Sequence, residues 1–194
     1  MIQDLRQGTV ILYDTEWTSW PGFMESRWQQ PGRYPEIIQI GAVKLDIAQN
    51  FKEVEAFQRF IIPKFNPTLS DYIIDLTGIT QEKIDNEGVS FSEALNDYLA
   101  FIRNGQSSLM CYGRDGDTIR RNCELNDIDT PDIFHTEIDL RQALVDLKLV
   151  KQSHMSSDLP SLFGLPDDER AHDALGDSRG LAKTLRHLRE TDRI

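Results

Sequence analysis

No stretch of this 194-residue sequence reaches the ~20 consecutive apolar residues of a membrane-spanning helix. Residues 1–8 hold no apolar core of the kind that heads a secreted chain. A cytoplasmic protein is therefore expected. Cysteine is scarce. Cys111 and Cys123 are the only two, they show no metal-ligand spacing, and a reduced pair is expected. Basic charge is also in deficit: 21 lysines and arginines face 32 acids, for a net charge of −11. Such a surface will not hold a long polyanion by counterion release. Any nucleic-acid partner has to be gripped locally, at a metal site or a small basic patch. Internal repeats and low-complexity tracts are absent too. The length and ordinary composition suggest one domain over residues 1–194, with a single sizeable core.

What is present begins at Thr9-Val-Ile-Leu-Tyr-Asp-Thr-Glu-Trp-Thr18. Val10 to Tyr13 read as a buried strand. Strand residues i and i+2 share a face, so Asp14 and Glu16 project together at the strand's C-terminal end. Two neighbouring anions repel, so one takes a proton or both bind a cation. Oxygen-only ligation suits Mg²⁺ or Mn²⁺ rather than zinc. On its own the triplet reads better as a strand end with two solvated acids; acids further along the chain change that balance.

Residues 17–32 read as a loop, with turn signals at Pro21-Gly22 and Pro31-Gly32. Its tryptophans, Trp17, Trp20 and Trp28, either stack bases or pin the loop to the core. Residues 36–46 and 55–62 read as strands two and three of an antiparallel meander. Ser70 caps a short helix at 72–76 that Gly78 stops, and Thr80 caps another. Residues 90–103 form an amphipathic helix opened by a Ser90/Glu93 capping box. Strand four is expected at 108–113, a helix at 118–126, strand five at 132–138, and a helix capped by Asp139. A short helical segment follows at 159–164, then a last helix from about 171 to 189. The class is α/β: a mixed five-stranded sheet with helices on both faces.

Acids recur at the ends of these elements. Asp115 and Asp117 follow strand four. Asp177 lies on the last helix, five residues after His172. Five helical residues turn about 500°, leaving the two side chains roughly 140° apart. They share a cleft only if His172 lies at, or just before, the helix N-terminus.

This set resembles the DEDDh family of 3′→5′ exonucleases, which has an RNase H-like fold. Asp14-Thr-Glu16 is similar to the first motif and Glu36-Ile-Ile-Gln-Ile-Gly-Ala-Val43 to the family's second strand. Leu76-Thr-Gly-Ile-Thr80, Tyr112-Gly-Arg-Asp115 and the His172/Asp177 pair match the rest in order. The likeness is closer to exonucleases of the histone-mRNA and small-RNA-processing type, and their bacterial relatives, than to polymerase proofreading subunits. Between the two central acids, Asp115 is chosen. It places apolar Ile119 four residues on, whereas Asp117 would place Arg121 there, so Asp117 is read as a cap or solvated. Trp17-Thr18-Ser19-Trp20 stands where the family often has Thr-Thr-Gly. Trp17, Thr18 and Trp20 are the candidate substrate contacts, and Arg114 a candidate phosphate contact.

The resemblance implies that Asp14, Glu16, Asp115 and Asp177 hold two divalent ions, Mg²⁺ or Mn²⁺, ~3.5–4 Å apart. His172, with an ordinary pKa of about 6.5, would be the general base. The substrate would be the 3′ end of single-stranded RNA or DNA and the product a nucleoside 5′-monophosphate. Two rivals stand beside this reading. One is a non-catalytic module on the same fold that binds a nucleic-acid end or a protein; loss of an acid would favour it, and all are present. The other is a proofreading subunit bound to a polymerase, expected to carry a docking segment after the last helix. His135, read in strand five, is taken as structural; neither His154 nor His187 looks like a metal ligand.

Overall fold

The computed structural model describes residue 2 and residues 5–23, 25–103, 107–166 and 172–194. Its strands are β1 (Thr9–Trp17), β2 (Ile37–Asp46), β3 (Lys52–Phe60), β4 (Ser107–Cys111) and β5 (Ile138–Asp139). They form one sheet in the order β3-β2-β1-β4-β5, with β1 at its centre. β1–β2 and β2–β3 pair antiparallel; β1–β4 and β4–β5 pair parallel. In the antiparallel half β2 and β3 are joined by a short turn, whereas β1 reaches β2 through the long loop that ends before Ile37. The parallel half needs helical crossovers.

Alternation along β1 sets the two cores. Ile11 and Tyr13 point to one face, where α3 (Phe91–Arg103) and α4 (Asp115–Leu125) supply Phe91, Leu95, Tyr98, Ile119 and Cys123. Val10 and Leu12 point to the other, where α5 (Leu140–Asp146) and α7 (Ala174–Glu190) supply Leu140, Leu144, Leu181, Leu185 and Leu188. Each such buried leucine contributes about 1.5–3 kcal/mol, which fixes α7 on that face. Asp14 and Glu16 continue the Val10/Leu12 side, so they point towards the face that α7 covers. α1 (Asp71–Thr77) and α2 (Gln81–Glu87) close a smaller core around Ile38, Phe60, Ile73 and Ile84. α6 (Leu159–Leu162) precedes α7. Both sheet edges are protected: β3 is exposed and rich in charge, and β5 is two residues long.

The caps lie where the sequence puts them. Ser70, Thr80 and Asp139 each accept a backbone N–H of the following turn, and Gly78 ends α1 in the left-handed region at φ 69°. Other boundaries move. The third strand starts at Lys52 and ends at Phe60; beyond it Ile61 still donates to Ile38 O of β2 at 2.9 Å and also bridges Val89. β4 stops at Cys111, and α4 starts at Asp115 rather than residue 118. Gly113, at φ 100°, makes the tight turn between them.

The fifth strand expected over 132–138 is corrected. Asp132–His135 is a 3-10 turn following Pro131, and only Ile138–Asp139 joins the sheet. Phe134 is the residue of that stretch that is fully buried, with its ring against Tyr13 and Tyr98. One buried aromatic needs no two-residue alternation, so packing overrides the β-propensity of Ile133-Phe134. His135 consequently lies exposed on a turn rather than in a strand. Residue 171, read as the start of the last helix, lies outside the described residues. The helix begins at Ala174, behind an Asp173 cap.

Candidate active site

Asp14 and Glu16 end β1 nearly buried, at 7% and 8% exposure. Thr15, between them, points the other way and holds the central acid. Its backbone N–H donates to Asp115 Oδ1 at 3.1 Å and its hydroxyl donates to the same oxygen at 2.6 Å. One three-residue stretch thus presents two carboxylates and fixes a third.

Asp115 is the first residue of α4 and is buried, whereas Asp117 has a side chain 43% exposed and pairs with Arg114 and Arg120. Asp117 does not cap the helix: Arg114 occupies that position. Gly116, next to Asp115, leaves room for the Glu137 carboxylate, which a Cβ there would displace. Glu137 accepts the buried Tyr13 hydroxyl at 2.5 Å and stands behind Asp115 as a further acid.

The last two residues come from the start of α7. His172 has a left-handed backbone, φ 61°, two residues before the helix. Asp173 caps the helix by accepting Gly176 N–H at 3.1 Å. Gln39 of β2 clasps this corner twice: its amide donates to Asp173 Oδ1 at 2.5 Å, and its oxygen accepts Ala174 N–H at 3.0 Å. Asp177 follows in the first helical turn. The pre-helical position removes the angular separation that a continuous helix would impose. Ligand atoms of Glu16, His172 and Asp177 lie within 4.8 Å of one another.

The carboxylates oppose one another's ionisation. Burial pushes the Asp14 carboxyl well up from the usual range, and repulsion from Asp115, Glu16 and Asp177 adds to it. Burial does the same to Glu16, reinforced by Asp177 and Asp115. Burial raises Asp115 to about 7, although the two Thr15 hydrogen bonds pull the other way. Burial lowers the His172 imidazole below the ordinary histidine value. Four buried carboxylates, Asp14, Glu16, Asp115 and Asp177, need positive charge. Their donor atoms are all hard oxygens, which fits divalent cations of the magnesium or manganese type.

The expected substrate contacts fare differently. Trp17 and Trp20 are half-buried beside the site. Trp17 packs edge-on to Trp28 at 5.9 Å, and Trp20 to Phe23 at 5.2 Å with Arg33 over its ring at 4.9 Å. Thr18 is buried, and its hydroxyl donates to Tyr34 O at 2.6 Å and accepts Glu36 N–H at 3.0 Å, so it locks the loop. Arg114 is exposed at the start of α4 and donates to Asp117 at 2.6 Å. Sequence reasoning missed Thr15, Gln39, Asp173 and Glu137. A glutamine inside the apolar run Ile37-Ile-Gln-Ile40 was one signal. Asp173 ahead of a helical pattern was another.

A family model for exonucleases (RNase_T) matches residues 11–185. The chain is similar to rat 3′-5′ exoribonuclease 1, 26% identical over 157 residues. That match covers 76% of this chain and 45% of the relative, so the chain spans less than half of that protein. It is also similar to the Drosophila 3′-5′ exonuclease Snipper, 25% identical over 197 residues, with 91% of this chain and 67% of that one covered. Among solved structures, the fold matches the nuclease domain of 3′hExo, a DEDDh family member bound to rAMP. The TM-score is 0.83 at 23% identity, over 95% of this chain and 93% of that one. The mixed sheet is thus the RNase H-like fold that the sequence resemblance implied.

Proposed function

The chain belongs to the RNase_T family of exonucleases, and from that premise we propose a metal-dependent 3′→5′ exonuclease acting on single strands. One observation carries the reading: Asp14, Glu16, Asp115, His172 and Asp177, from three separate parts of the chain, are brought to one end of the sheet. The rat relative is an exoribonuclease, so RNA is the first substrate to test, with DNA beside it.

Asp14, Glu16, Asp115 and Asp177 would hold two divalent ions, Mg²⁺ or Mn²⁺. When bound, these supply charge neutralisation at the scissile phosphate and a more acidic water. The protein does the rest. His172, whose pKa burial lowers so that the neutral base is favoured, takes a proton from the attacking water. The water oxygen bonds to the terminal phosphorus. The bond from that phosphorus to the 3′ oxygen of the preceding nucleotide breaks, releasing a nucleoside 5′-monophosphate. Gln39 and Asp173 hold the corner from which His172 projects.

The test is hydrolysis of 5′-labelled single-stranded RNA and DNA of one sequence, with Mg²⁺, Mn²⁺ or chelator. Asp14→Ala and His172→Ala run alongside. A ladder that shortens from the 3′ end, and vanishes with chelator and in Asp14→Ala, is expected. Intact strands in the presence of folded, metal-loaded protein would overturn the proposal and favour a binding module.

A further inference from the structure

A second cleft opens beside the active site, between the loop after β1 and the outer face of α4. Its volume is about 350 Å³, and its walls include Trp28, Arg33, Tyr34, Arg121 and Glu124. Spaces of this size take ligands as large as a nucleotide. Packed rings join it to the carboxylates: Trp17 follows Glu16 in β1 and meets Trp28 at 5.9 Å. α4 gives a second ruler. Arg121 lies six residues beyond Asp115, which is ~9 Å along the helix.

The rim of this cleft departs from the rest of the surface. Tyr34 is 40% exposed and Phe65 44% exposed, and their rings pack together at 5.2 Å. Arg33 lies over Trp20 at 4.9 Å and Lys64 over Phe65 at 5.2 Å. Arg33 and Arg121 share the cleft wall with one acid, Glu124, in a chain whose net charge is −11, and Lys64 adds a third cation outside the wall, on the Phe65 ring. The strip is also held in place. Glu36 accepts the backbone N–H groups of Lys64, Phe65 and Asn66 at 2.5, 2.8 and 2.7 Å. Asn66 accepts Tyr34 N–H at 3.0 Å. Asn122 of α4 donates to Pro35 O and accepts Ile37 N–H, both at 2.9 Å.

We infer that this strip is a track for the single strand upstream of its 3′ end. Bases stack on the exposed faces of Tyr34 and Phe65, and phosphates pair with Arg33, Lys64 and Arg121. Alternating aromatics and cations are what a sequence-tolerant single-strand groove requires. Arg121 also lies about 120° round α4 from Asp115, so the ~9 Å rise is a lower bound on their separation and puts the strip about three or more stacked nucleotides, at ~3.4 Å each, from the carboxylates. The acidic remainder of the surface repels strand that strays from the strip. The inference rests on the exonuclease reading for the direction of the strand alone.

The test separates the two. Anisotropy of a fluorescent 12-mer single strand with a non-cleavable linkage at its 3′ end is followed with Mg²⁺ present. Wild type is compared with Tyr34→Ala/Arg121→Ala and with the control Arg59→Ala, an exposed arginine paired with Asp97. Thermal unfolding checks that each is folded. The double variant is expected to weaken binding about tenfold and to lower the salt slope by about one, the share of one phosphate contact; the control does neither. Unchanged affinity in the double variant, or no binding by wild type at low salt, overturns the track. Cleavage of an ordinary strand by a double variant of unchanged affinity leaves the exonuclease standing and assigns the cleft to another occupant, such as a peptide. Track-dependent binding without cleavage sinks the exonuclease reading and keeps the track.

Discussion

The backbone nitrogen of Leu175 lies 2.1 Å from the point where a Cβ on Gly41 would stand. Gly41 is paired with Asp14 across the β1–β2 ladder, so the bare backbone that receives α7 is also the partner of the first acid of the candidate site. The Ser178 hydroxyl donates to the Gly41 carbonyl at 3.1 Å and fastens the contact. Without a side chain at position 41, the first turn of α7 lies directly on β2, and His172 and Asp177 reach Glu16.

Gly41→Ala is therefore expected to push α7 off the sheet. Overpacking of this kind costs about 1–3 kcal/mol. A displacement of about 1 Å at a reacting centre costs about 10²-fold in rate. Thermal unfolding and strand hydrolysis check both; a variant with wild-type rate would show that α7 is not seated by this contact.

Asp14→Asn removes one charge from a set that repels itself. The chelated variant is expected to unfold at a temperature a few degrees above chelated wild type at pH 8, and to lose about 10²–10³-fold or more in hydrolysis. The rise in melting temperature that Mg²⁺ gives wild type should shrink with it. Equal melting temperatures in chelator would mean that the repulsion is relieved in some other way.

The same repulsion sets a pH window for the metal-free protein. The folded Asp115 keeps its proton up to about pH 7, whereas an unfolded aspartate releases it near pH 4. Between those values the folded state binds more protons than the unfolded state, so stability falls as pH rises. Asp14 and Glu16, raised in the same direction, steepen the decline. Melting of the chelated protein from pH 4.5 to 8 should show a downward slope, and Mg²⁺ should flatten it. A rise across that range would contradict the shared burial of these acids.

His172 offers a kinetic signature. Burial lowers its pKa from 6.5, so the neutral base persists into mildly acidic solution. The rate should rise with pH along a limb centred below the ordinary histidine value and level off above it. His172→Asn should cost about 10²–10⁴-fold and abolish that limb. A limb that survives the substitution would belong to another group.

Much of this was readable in the chain itself. Asp14 and Glu16 announced themselves by strand parity, and Ser70, Thr80 and Asp139 by capping chemistry, because both signals are local. The choice of Asp115 over Asp117 was also within reach, since the 3.6 period of α4 is local too. What stayed hidden depends on distant partners. Gln39 looks like a polar intrusion in β2 until the start of α7 arrives to bond it. Gly41 looks like any strand glycine until Leu175 lies on it. The residues at 132–135 have β-prone composition, and only the rings of Tyr13 and Tyr98 explain why Phe134 is taken into the core on a turn. Thr18 could be placed near the substrate by position, but not seen to have its hydroxyl occupied by Tyr34 and Glu36.

The docking of α7 on β2 also sets an order in time. Asp14 emerges early in synthesis, Asp115 near the middle and Asp177 late. Chains grow at about 5–20 residues per second, and contacts between distant segments form after local ones. A nascent chain with its meander already folded therefore holds two of the candidate site's acids and no histidine. In the proposed reading the site is complete only once the last helix docks over Gly41.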